Sequence, residues 1–570
     1  MATIRCIEIR NFRSIRHLKW FPSAGFNCLI GPGDSGKSSI LDAIDFCLGA
    51  RRNIQFDDGD FFELDVARPI LITITVGDLA DSFKTVDGFG IFLRGYDDIF
   101  SDINDEPDID LETVLSIRLR VESDLEPTWT LYSDRAETQA KTRNLSWSER
   151  SLLAPTRIAM MTAYDLSWRK GSVLNRLSED RAEADAAMAK VNREARAAFG
   201  EQANDQLKNT REIVKAVAAS VGIDVGNDVK ALLDLESLSV GGAAISLHNS
   251  AGVPLRNLGT GSTRLLLASL QRRAAASSSI ILLDELEYGL EPHRIVRLIG
   301  SLGAKDSEPS MQVFVTTHSP VALRELSGDQ VFVVRQSESG HEIDKVGTGD
   351  DAQGAIRLYP EAFLASSVLV CEGATEVGFI RGIDQYFTSQ GSISFSARGS
   401  SLVDGKGSEA LKRASSFRAL GFRTALLRDD DVAVDAAAEK KFIAEGGSIF
   451  KWRAGNNLED ELFSSLDSSA VKALVQFVID ESGLSLVDSQ IGAASRGSLT
   501  AAAIFNDLNP SARETLATAS SFKNGWFKSV GFAEQIAVGI VAPGLASSDA
   551  EFQKRIREIF AWLQGPNERA

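Results

Sequence analysis

The chain has 570 residues, of which 44% are hydrophobic and 24% charged, so we expect a globular protein of about two to four domains. Its net charge of −17 argues against a passive nucleic-acid coat, which needs a basic surface, but allows an enzyme with carboxylate metal sites. No uninterrupted apolar run reaches the roughly 18 residues of a membrane span, and the N-terminus lacks a signal-peptide core. These features predict a cytoplasmic protein with no membrane partner. The four cysteines form no C-x-x-C pair, which makes a zinc site or a disulfide framework improbable.

The segment 31–38, Gly-Pro-Gly-Asp-Ser-Gly-Lys-Ser, fits the phosphate-binding pattern G-x-x-x-x-G-K-[ST]. It follows an apolar stretch over 26–30 that predicts a buried strand, and a helix is predicted from Ser39 onward. Backbone N–H groups of such a loop surround a phosphate, and the helix N-terminus adds its dipole. Lys37 is expected to reach the β- and γ-phosphates of ATP, and Ser38 to hold Mg²⁺. The predicted nucleotide-binding residues of this segment are Gly31, Gly33, Asp34, Ser35, Gly36, Lys37, Ser38 and Ser39.

An apolar stretch over 280–283 ends in two carboxylates, Asp284 and Glu285, which is the Walker B pattern. Asp284 is predicted to support Mg²⁺, and Glu285 to position or activate the attacking water. The alternative is a buried strand with solvated charges at its end. The P-loop earlier in the chain favours the catalytic interpretation.

Gly259 and Gly261 precede an apolar run that predicts a helix, and glycines that open a helix form an anion site. A plain loop before a helix is the alternative. Another predicted strand, over 313–316, leads to His318. A lone histidine is usually structural, but this one follows the Walker B segment at the end of a strand.

The order of these motifs resembles ABC ATPases of the structural-maintenance and recombination-repair type, over roughly residues 1–340. The resemblance implies that Gly259 and Gly261 belong to a signature motif facing a partner subunit, and that His318 is the switch histidine. The segment 11–15 also matches, which implies that Arg13 lies near the nucleotide phosphates. The predicted head has lobes over 1–164 and 236–350. A helical dimerisation insert is predicted over 165–235, with a simple lid as the alternative, and the polar stretch up to about 355 is interpreted as a linker.

A second α/β domain is predicted after the linker, because two apolar strands end in acidic residues. Glu372 and Glu376 follow the strand over 367–371, and Asp429 and Asp431 follow the strand over 423–428. Parallel strands end at one edge of a sheet, and alternate residues of an extended strand point the same way, so these carboxylates can share a site. Carboxylate clusters bind Mg²⁺ or Mn²⁺, and paired metals suit phosphodiester hydrolysis.

Two further residues of this region are candidates for the same site. Glu459 is either an additional metal ligand or an ordinary acid in the first turn of a helix. Lys528 is predicted to stabilise the negative transition state, with Lys523 as its rival; either lysine can also be a surface cation.

The acidic pattern resembles the Toprim fold, here predicted over 356–545 with a helical insert at about 463–520 and a C-terminal helix over 546–570. An ABC head followed by a Toprim domain resembles the second class of the OLD (overcoming lysogenization defect) nucleases, with which the Gabija antiphage nuclease subunit belongs. The resemblance implies metal-dependent DNA nicking or cleavage gated by ATP. It also implies a homodimer or homotetramer, and a helicase partner of the UvrD type. A DNA-clamping repair ATPase that does not cut DNA, and a scaffold whose acids hold a stabilising ion, are the alternatives.

Overall fold

The computed structural model describes residues 2–50, 54–158, 174, 205–233, 245–273, 280–337, 340–432, 435–522 and 525–565. The chain divides into two compact units, Met1–Thr348 and Gly349–Ala570. The predicted helical insert over 165–235 lies largely outside the described residues. Its described part contains the helix Lys208–Ser220 and the strand Lys230–Leu233, and its role in dimerisation stays a prediction.

The described part of the first unit combines strands and helices in one α/β fold. Its strands are β1 (Thr3–Phe12), β2 (Ile15–Trp20), β3 (Phe26–Ile30), β4 (Ile70–Gly77), β5 (Leu93–Asp97), β6 (Asp102–Asn104), β7 (Glu112–Val121), β8 (Pro127–Tyr132), β9 (Thr156–Ile158), β10 (Lys230–Leu233), β11 (Ile245–His248), β12 (Ile280–Leu283), β13 (Gln312–Thr316), β14 (Val331–Ser337) and β15 (Gly340–Lys345). Its helices are α1 (Lys37–Leu48), α2 (Val86–Phe89), α3 (Asp134–Thr138), α4 (Trp147–Leu153), α5 (Lys208–Ser220), α6 (Thr260–Arg273), α7 (Pro292–Ser301) and α8 (Pro320–Glu325).

Two large sheets organise this unit. One is antiparallel, in the order β2-β1-β4-β7-β5-β6, with β8 also paired to β7. The other has the order β15-β14-β3-β13-β12-β9, in which all neighbours are parallel except β14 and β15. The strand before the P-loop and the Walker B strand are therefore separated by β13 alone, with Leu29 opposite Thr316 and Leu283 opposite Val315. This order brings the ends of all three strands to one edge of the sheet.

Helix α1 packs against strands of both sheets, and its apolar residues belong to a core that the two sheets share. Trp20 of the antiparallel sheet contacts Phe314 and Phe332 of the other sheet, at ring-centroid distances of 5.7 and 5.3 Å. Helix α1 begins at Lys37 and not at Ser39 as expected, because Gly36 in the left-handed conformation already forms its N-cap. The polar stretch interpreted as a linker also differs, since it contains strand β15 and the start of a helix at Asp350.

The second unit is built on four parallel strands, and two of them are the predicted strands that end in acidic residues. The four strands are β16 (Ser367–Cys371), β17 (Ser400–Asp404), β18 (Arg423–Arg428) and β19 (Ser448–Lys451), in the order β17-β16-β18-β19. Its described helices are α9 (Asp350–Leu358), α10 (Pro360–Phe363), α11 (Ala374–Ser389), α12 (Ala410–Ala419), α13 (Ala436–Ala444), α14 (Leu458–Ser465), α15 (Ser468–Ser482), α16 (Leu484–Ala494), α17 (Ala501–Asn506), α18 (Pro510–Ser520), α19 (Val530–Ile536), α20 (Ala542–Gly544) and α21 (Ala550–Leu563).

The apolar core of the second unit joins the sheet to the helices that follow it. Phe379 of α11 contacts Trp452 after β19 and Phe552 of α21, at centroid distances of 6.1 and 6.5 Å. Among the described residues, one helical stretch, 530–547, is long and apolar enough to cross a membrane by length and composition alone. The sequence did not predict this stretch as a membrane span, because polar residues interrupt its apolar residues. Its residues Ile536 and Val541 are buried in the core of this unit.

Candidate functional site

The P-loop of the first unit is formed as its sequence predicts. Strand β3 is buried at all five positions, and Gly31 and Gly36 adopt φ angles of 147° and 84° that favour glycine. The Lys37 ammonium group folds back on the loop and donates to the carbonyl oxygens of Gly31 and Pro32, at 3.1 and 2.7 Å. Burial lowers the pKa of Lys37, an effect opposed by the charges of Asp284 and Asp34. A bound phosphate would offer this amine a charged partner in place of two neutral carbonyls.

The Walker A and Walker B segments meet although they lie far apart in the chain. Ser38 Oγ donates to Asp284 Oδ1 at 3.2 Å, and Thr316 Oγ1 donates to the same oxygen at 2.5 Å. Thr316 Oγ1 also accepts the backbone N–H of Glu285 at 2.8 Å. Ser38 and Asp284 are therefore placed where one Mg²⁺ could contact both of them. Thr316, which sequence reasoning did not select, fixes the orientation of Asp284.

A fully buried arginine, Arg264 of helix α6, holds the turn that follows the Walker B strand. Its guanidinium donates to the backbone carbonyls of Asp284, Glu285 and Tyr288, at 2.8, 2.9 and 2.9 Å. Glu285 itself has a φ angle of 46°, which is uncommon for a residue other than glycine. Arg264 therefore stabilises the strained turn that presents Glu285. A charged residue within an apolar helix was the available sequence signal for this role.

The loop that carries His318 is tied to the same turn by Glu287. The Thr317 hydroxyl donates to Glu287 Oε2 at 2.6 Å, and the His318 backbone N–H donates to Oε1 at 2.7 Å. The His318 side chain is exposed beyond the end of β13. Glu287 was missed in the sequence because its partners are on a loop 30 residues away.

The two predicted signature glycines differ in their surroundings. Gly261 packs so closely on the loop after Walker B that a Cβ atom there would lie 2.3 Å from the Gly289 carbonyl oxygen. Gly259 is exposed, and a Cβ atom there would meet nothing within 4 Å. Helix α6 begins between them, at Thr260. Gly261 is thus required by packing, whereas the space around Gly259 remains open for a ligand or a partner.

Arg13 lies in the turn between β1 and β2, with a φ angle of 50°. Its guanidinium is engaged by the carboxylates of Asp60, at 2.9 Å, and of Asp42 on helix α1. Arg13 therefore lies beside helix α1, which follows the P-loop. Its expected contact with the nucleotide phosphates stays a prediction.

In the second unit, Glu372 and Asp429 follow the neighbouring parallel strands β16 and β18. The Asp429 backbone N–H donates to Glu372 Oε2 at 2.9 Å. The side-chain oxygen Oδ1 of Asp429 is buried and has no hydrogen-bond partner. A buried carboxylate oxygen without a donor is costly, and a ligand that brings positive charge could offset this cost.

The electrostatics of these carboxylates reflect burial and mutual repulsion. Burial, followed by the charges of Glu376, Glu372, Glu459 and Asp431, raises the pKa of Asp429 to about 9. Burial is also the main cause that raises the pKa of Glu376 to about 7, with Glu459 contributing. Burial likewise raises the pKa of Glu372. In the described part of the chain, however, no three His, Cys, Asp or Glu side chains already stand in an arrangement that could hold a metal ion.

Of the remaining predicted residues, Glu459 and Asp431 are charged neighbours of Asp429, and Lys528 is a charged neighbour of Glu459. Glu459 is buried, and it is not the capping acid, because Asn457 and Asp460 form the capping box of helix α14. Burial raises the pKa of Glu459, and the positive charge of Lys528 opposes this rise. The Lys528 ammonium group donates to the Ser521 carbonyl at 3.1 Å. Asp431 is exposed, and Lys523 lies outside the described residues.

A cavity of about 860 Å³ in the second unit opens next to these carboxylates. Glu372 and Asp429 line it together with Arg428 and Ser408, and its walls include apolar residues of helices α12 and α13. Asp430, by contrast, points toward Arg428 and Lys451, at 3.5 and 3.7 Å. The two neighbouring aspartates therefore differ, since one faces carboxylates and the other faces cations.

Short segments of the chain are similar to curated proteins. They include the "Chromosome partition protein Smc" of Methanocaldococcus jannaschii, 47% identical over 49 residues, which are 9% of this chain and 4% of that protein. The "DNA replication and repair protein RecF" of Nitrosococcus oceani is 44% identical over 55 residues, 10% of this chain and 15% of that protein. The chain thus spans less than a sixth of the length of these relatives.

Solved structures of Smc head domains are also similar to the chain. A Smc head bound to the C-winged helix domain of ScpA covers 60% of this chain and 97% of its own, with 17% identity and a TM-score of 0.37. The head domain from Thermotoga maritima covers 60% of this chain and 99% of its own, with 13% identity and a TM-score of 0.30.

One family model matches a continuous region that contains the P-loop, the Walker B segment and His318. It is described as "AAA domain, putative AbiEii toxin, Type IV TA system", and it matches residues 26–324, which is more than half of the chain. The protein therefore belongs to this AAA-domain family of ATP-binding P-loop ATPases.

Proposed function

We propose that the protein is an ATP-binding, metal-dependent DNA endonuclease of the OLD type, acting in antiphage defence or DNA processing. The observation that carries the proposal is the buried, unpartnered Oδ1 atom of Asp429 beside Glu372, at the carboxyl edge of a parallel sheet. Active sites of α/β folds form at this edge. ATP binding belongs to the first unit, and the proposed cutting site belongs to the second.

The residues around Asp429 fit a divalent cation. They offer carboxylate oxygens, which suit Mg²⁺ and Mn²⁺. Burial, and then the charges of neighbouring acids, raise the pKa values of the carboxyls at positions 372, 376, 429 and 459, so a cation would relieve repulsion that the metal-free protein carries. When bound, paired cations would stabilise the attacking and leaving oxygens of phosphodiester hydrolysis.

The chain's own groups have distinct tasks in this proposal. Glu372 holds the backbone of Asp429 through its hydrogen bond and so orients that carboxylate. Lys528, whose charge acts on Glu459, would stabilise the additional negative charge that a phosphate gains in the transition state. The adjacent cavity supplies room for the substrate next to the carboxylates.

In the first unit we assign roles according to the motifs. Lys37 would contact the ATP phosphates, Ser38 and Asp284 would hold Mg²⁺, and Glu285 would orient the attacking water. His318, on the loop tied to Glu287, would respond to the γ-phosphate. The exposed Gly259 would face a second copy of the chain in a homodimer or homotetramer. DNA is the proposed substrate, and a helicase of the UvrD type is a proposed partner.

Nicking of supercoiled plasmid by the full chain tests the proposal, in Mg²⁺ or Mn²⁺ and with or without ATP. We expect the wild type to produce nicked or linear DNA and Asp429→Asn to produce none. Asp430→Asn is the matched control, because Asp430 faces Arg428 and Lys451 rather than the carboxylates. Equal cutting by the wild type and Asp429→Asn would refute the assignment of the site.

A DNA-clamping repair ATPase without nuclease activity is the second candidate. Two observations favour it: the similarity to short segments of RecF and Smc, and the absence of a preformed three-residue metal arrangement among the described residues. It predicts DNA-stimulated ATP hydrolysis with intact plasmid in every sample. Nucleotide-dependent DNA retention without product in either metal would select this candidate over the nuclease.

A further inference from the structure

The P-loop has a buried neighbour that none of the motifs predicts. His341 lies on strand β15, where it pairs with Gln336 of β14. His341 is only 6% exposed, and neither of its ring nitrogens has a hydrogen-bond partner. Burial lowers the pKa of His341, so the folded protein favours a neutral ring with one N–H donor and one acceptor nitrogen. An orphaned buried imidazole is unusual and calls for an explanation.

The position of the ring supplies that explanation. A Cβ atom on Gly36 would lie 3.1 Å from His341 Nε2 and 3.1 Å from Ser14 Oγ. The ring thus lies at the last glycine of the P-loop, next to the β1–β2 turn. Gly340, with a φ angle of 147°, permits this approach, because a Cβ atom there would lie 2.6 Å from the His17 carbonyl oxygen.

We propose that His341 is part of the nucleotide site and donates a ring N–H to an oxygen of the phosphate chain held by the P-loop. Three observations support this: the ring is unpartnered, it is more than nine-tenths buried, and it lies against Gly36, whose backbone belongs to the phosphate-binding loop. The bound nucleotide would satisfy a donor that the protein alone leaves unpaired. The inference rests on ATP binding by the first unit and is independent of DNA cutting.

The affinity of variants for ATP tests this role. His341→Phe keeps a ring of similar size without a donor, and His341→Gln keeps an N–H donor. Because a hydrogen bond to a charged group is among the stronger ones, we expect His341→Phe to bind ATP at least about tenfold more weakly than the wild type. His341→Gln should retain a tighter affinity than His341→Phe. Isothermal titration of the full chain gives both dissociation constants, and Lys37→Ala sets the lower limit of binding.

A second readout separates ligand binding from a purely structural role. The proposal predicts that His341→Phe keeps the nucleotide-free melting temperature, since it removes unpaired polar atoms, while the increase in melting temperature caused by ATP or by inorganic tripolyphosphate becomes smaller. The exposed His17 provides the matched control, and His17→Phe should behave like the wild type. Wild-type affinity in His341→Phe would overturn the proposal. If that variant does not fold, wild-type affinity in His341→Ala would overturn it equally.

Discussion

At the residue scale, Asp429 combines burial, an unpartnered oxygen and several acidic neighbours in one side chain. Burial and these neighbours hold its pKa far above that of a carboxyl in an unfolded chain. The same residue therefore limits the stability of the metal-free protein and, in the proposed function, is a ligand of the cation. The proposed function and the stability of the protein thus make opposite demands on Asp429, as is common where charge is concentrated for chemistry.

The raised pKa predicts how stability depends on pH. With a folded pKa of about 9, Asp429 keeps a proton that the unfolded chain releases near pH 4. Between these values the folded state binds more protons, so the free energy of unfolding decreases as pH rises. We predict that at pH 8 in EDTA, Asp429→Asn is more stable than the wild type by at least about 1.4 kcal/mol, the equivalent of one pKa unit. The advantage should shrink toward pH 5.

Denaturant unfolding at both pH values measures this difference. Saturating Mn²⁺ should make the wild type the more stable of the two proteins, because only the wild type gains binding energy from the cation. A wild type that is the more stable protein at pH 8 in EDTA would contradict the electrostatic interpretation.

Lys528 should affect the rate of cutting and leave the metal affinity nearly unchanged. Its ammonium group is expected to act on transition-state charge, so we predict that Lys528→Ala lowers the nicking rate by about 10²-fold. Mn²⁺ titration of the same variant should give a dissociation constant close to that of the wild type. Lys523→Ala is the comparison. Slower nicking by Lys523→Ala, with a normal rate for Lys528→Ala, would show that Lys523 is the lysine that acts on the transition state.

At the element scale, helix α6 connects the predicted signature segment to the turn after Walker B, through Arg264 and through the contact between Gly261 and Gly289. A methyl group at Gly261 would have to push these backbones apart. We predict that Gly261→Ala destabilises the protein by about 1–3 kcal/mol, as overpacking does. Gly259→Ala should stay within about 0.5 kcal/mol of the wild type, because its surroundings are open.

Thermal unfolding of the two alanine variants tests this contrast directly, and ATPase assays show its consequence for catalysis. Gly261→Ala should also lower ATP hydrolysis, since the turn positions Glu285. Equal melting temperatures for both variants would mean that the packing of α6 on the turn is unimportant.

Elements that end in a motif could be predicted from the sequence. The apolar runs before the P-loop, Asp284, Glu372 and Asp429 form strands β3, β12, β16 and β18. The parallel pairing of β16 with β18 explains why Glu372 and Asp429 share one edge of the second sheet. Strand β15 was mistaken for part of a linker because its polar residues lie at the edge of a sheet. Arg264 and Glu287 were missed for another reason: their partners lie on distant loops, and many of the partner atoms are in the backbone, which no motif encodes.

At the scale of the whole molecule, the proposed ATP chemistry and the proposed metal chemistry fall in different compact units. All P-loop and Walker residues belong to the first unit, and all residues around Asp429 belong to the second. We predict that Lys37→Ala abolishes ATP binding and leaves Mn²⁺ binding in the second unit intact, as seen by calorimetry with each ligand. Loss of Mn²⁺ binding in this variant would show that the two sites depend on each other.

Titration of the full chain with Mn²⁺ in the absence of nucleotide tests the central claim most directly, because metal binding requires neither a target DNA nor a partner. The proposed site predicts saturable binding that Asp429→Asn abolishes and that Asp430→Asn retains. Binding that is absent from the wild type, or equal in the wild type and Asp429→Asn, would contradict the assignment of these carboxylates as a metal centre.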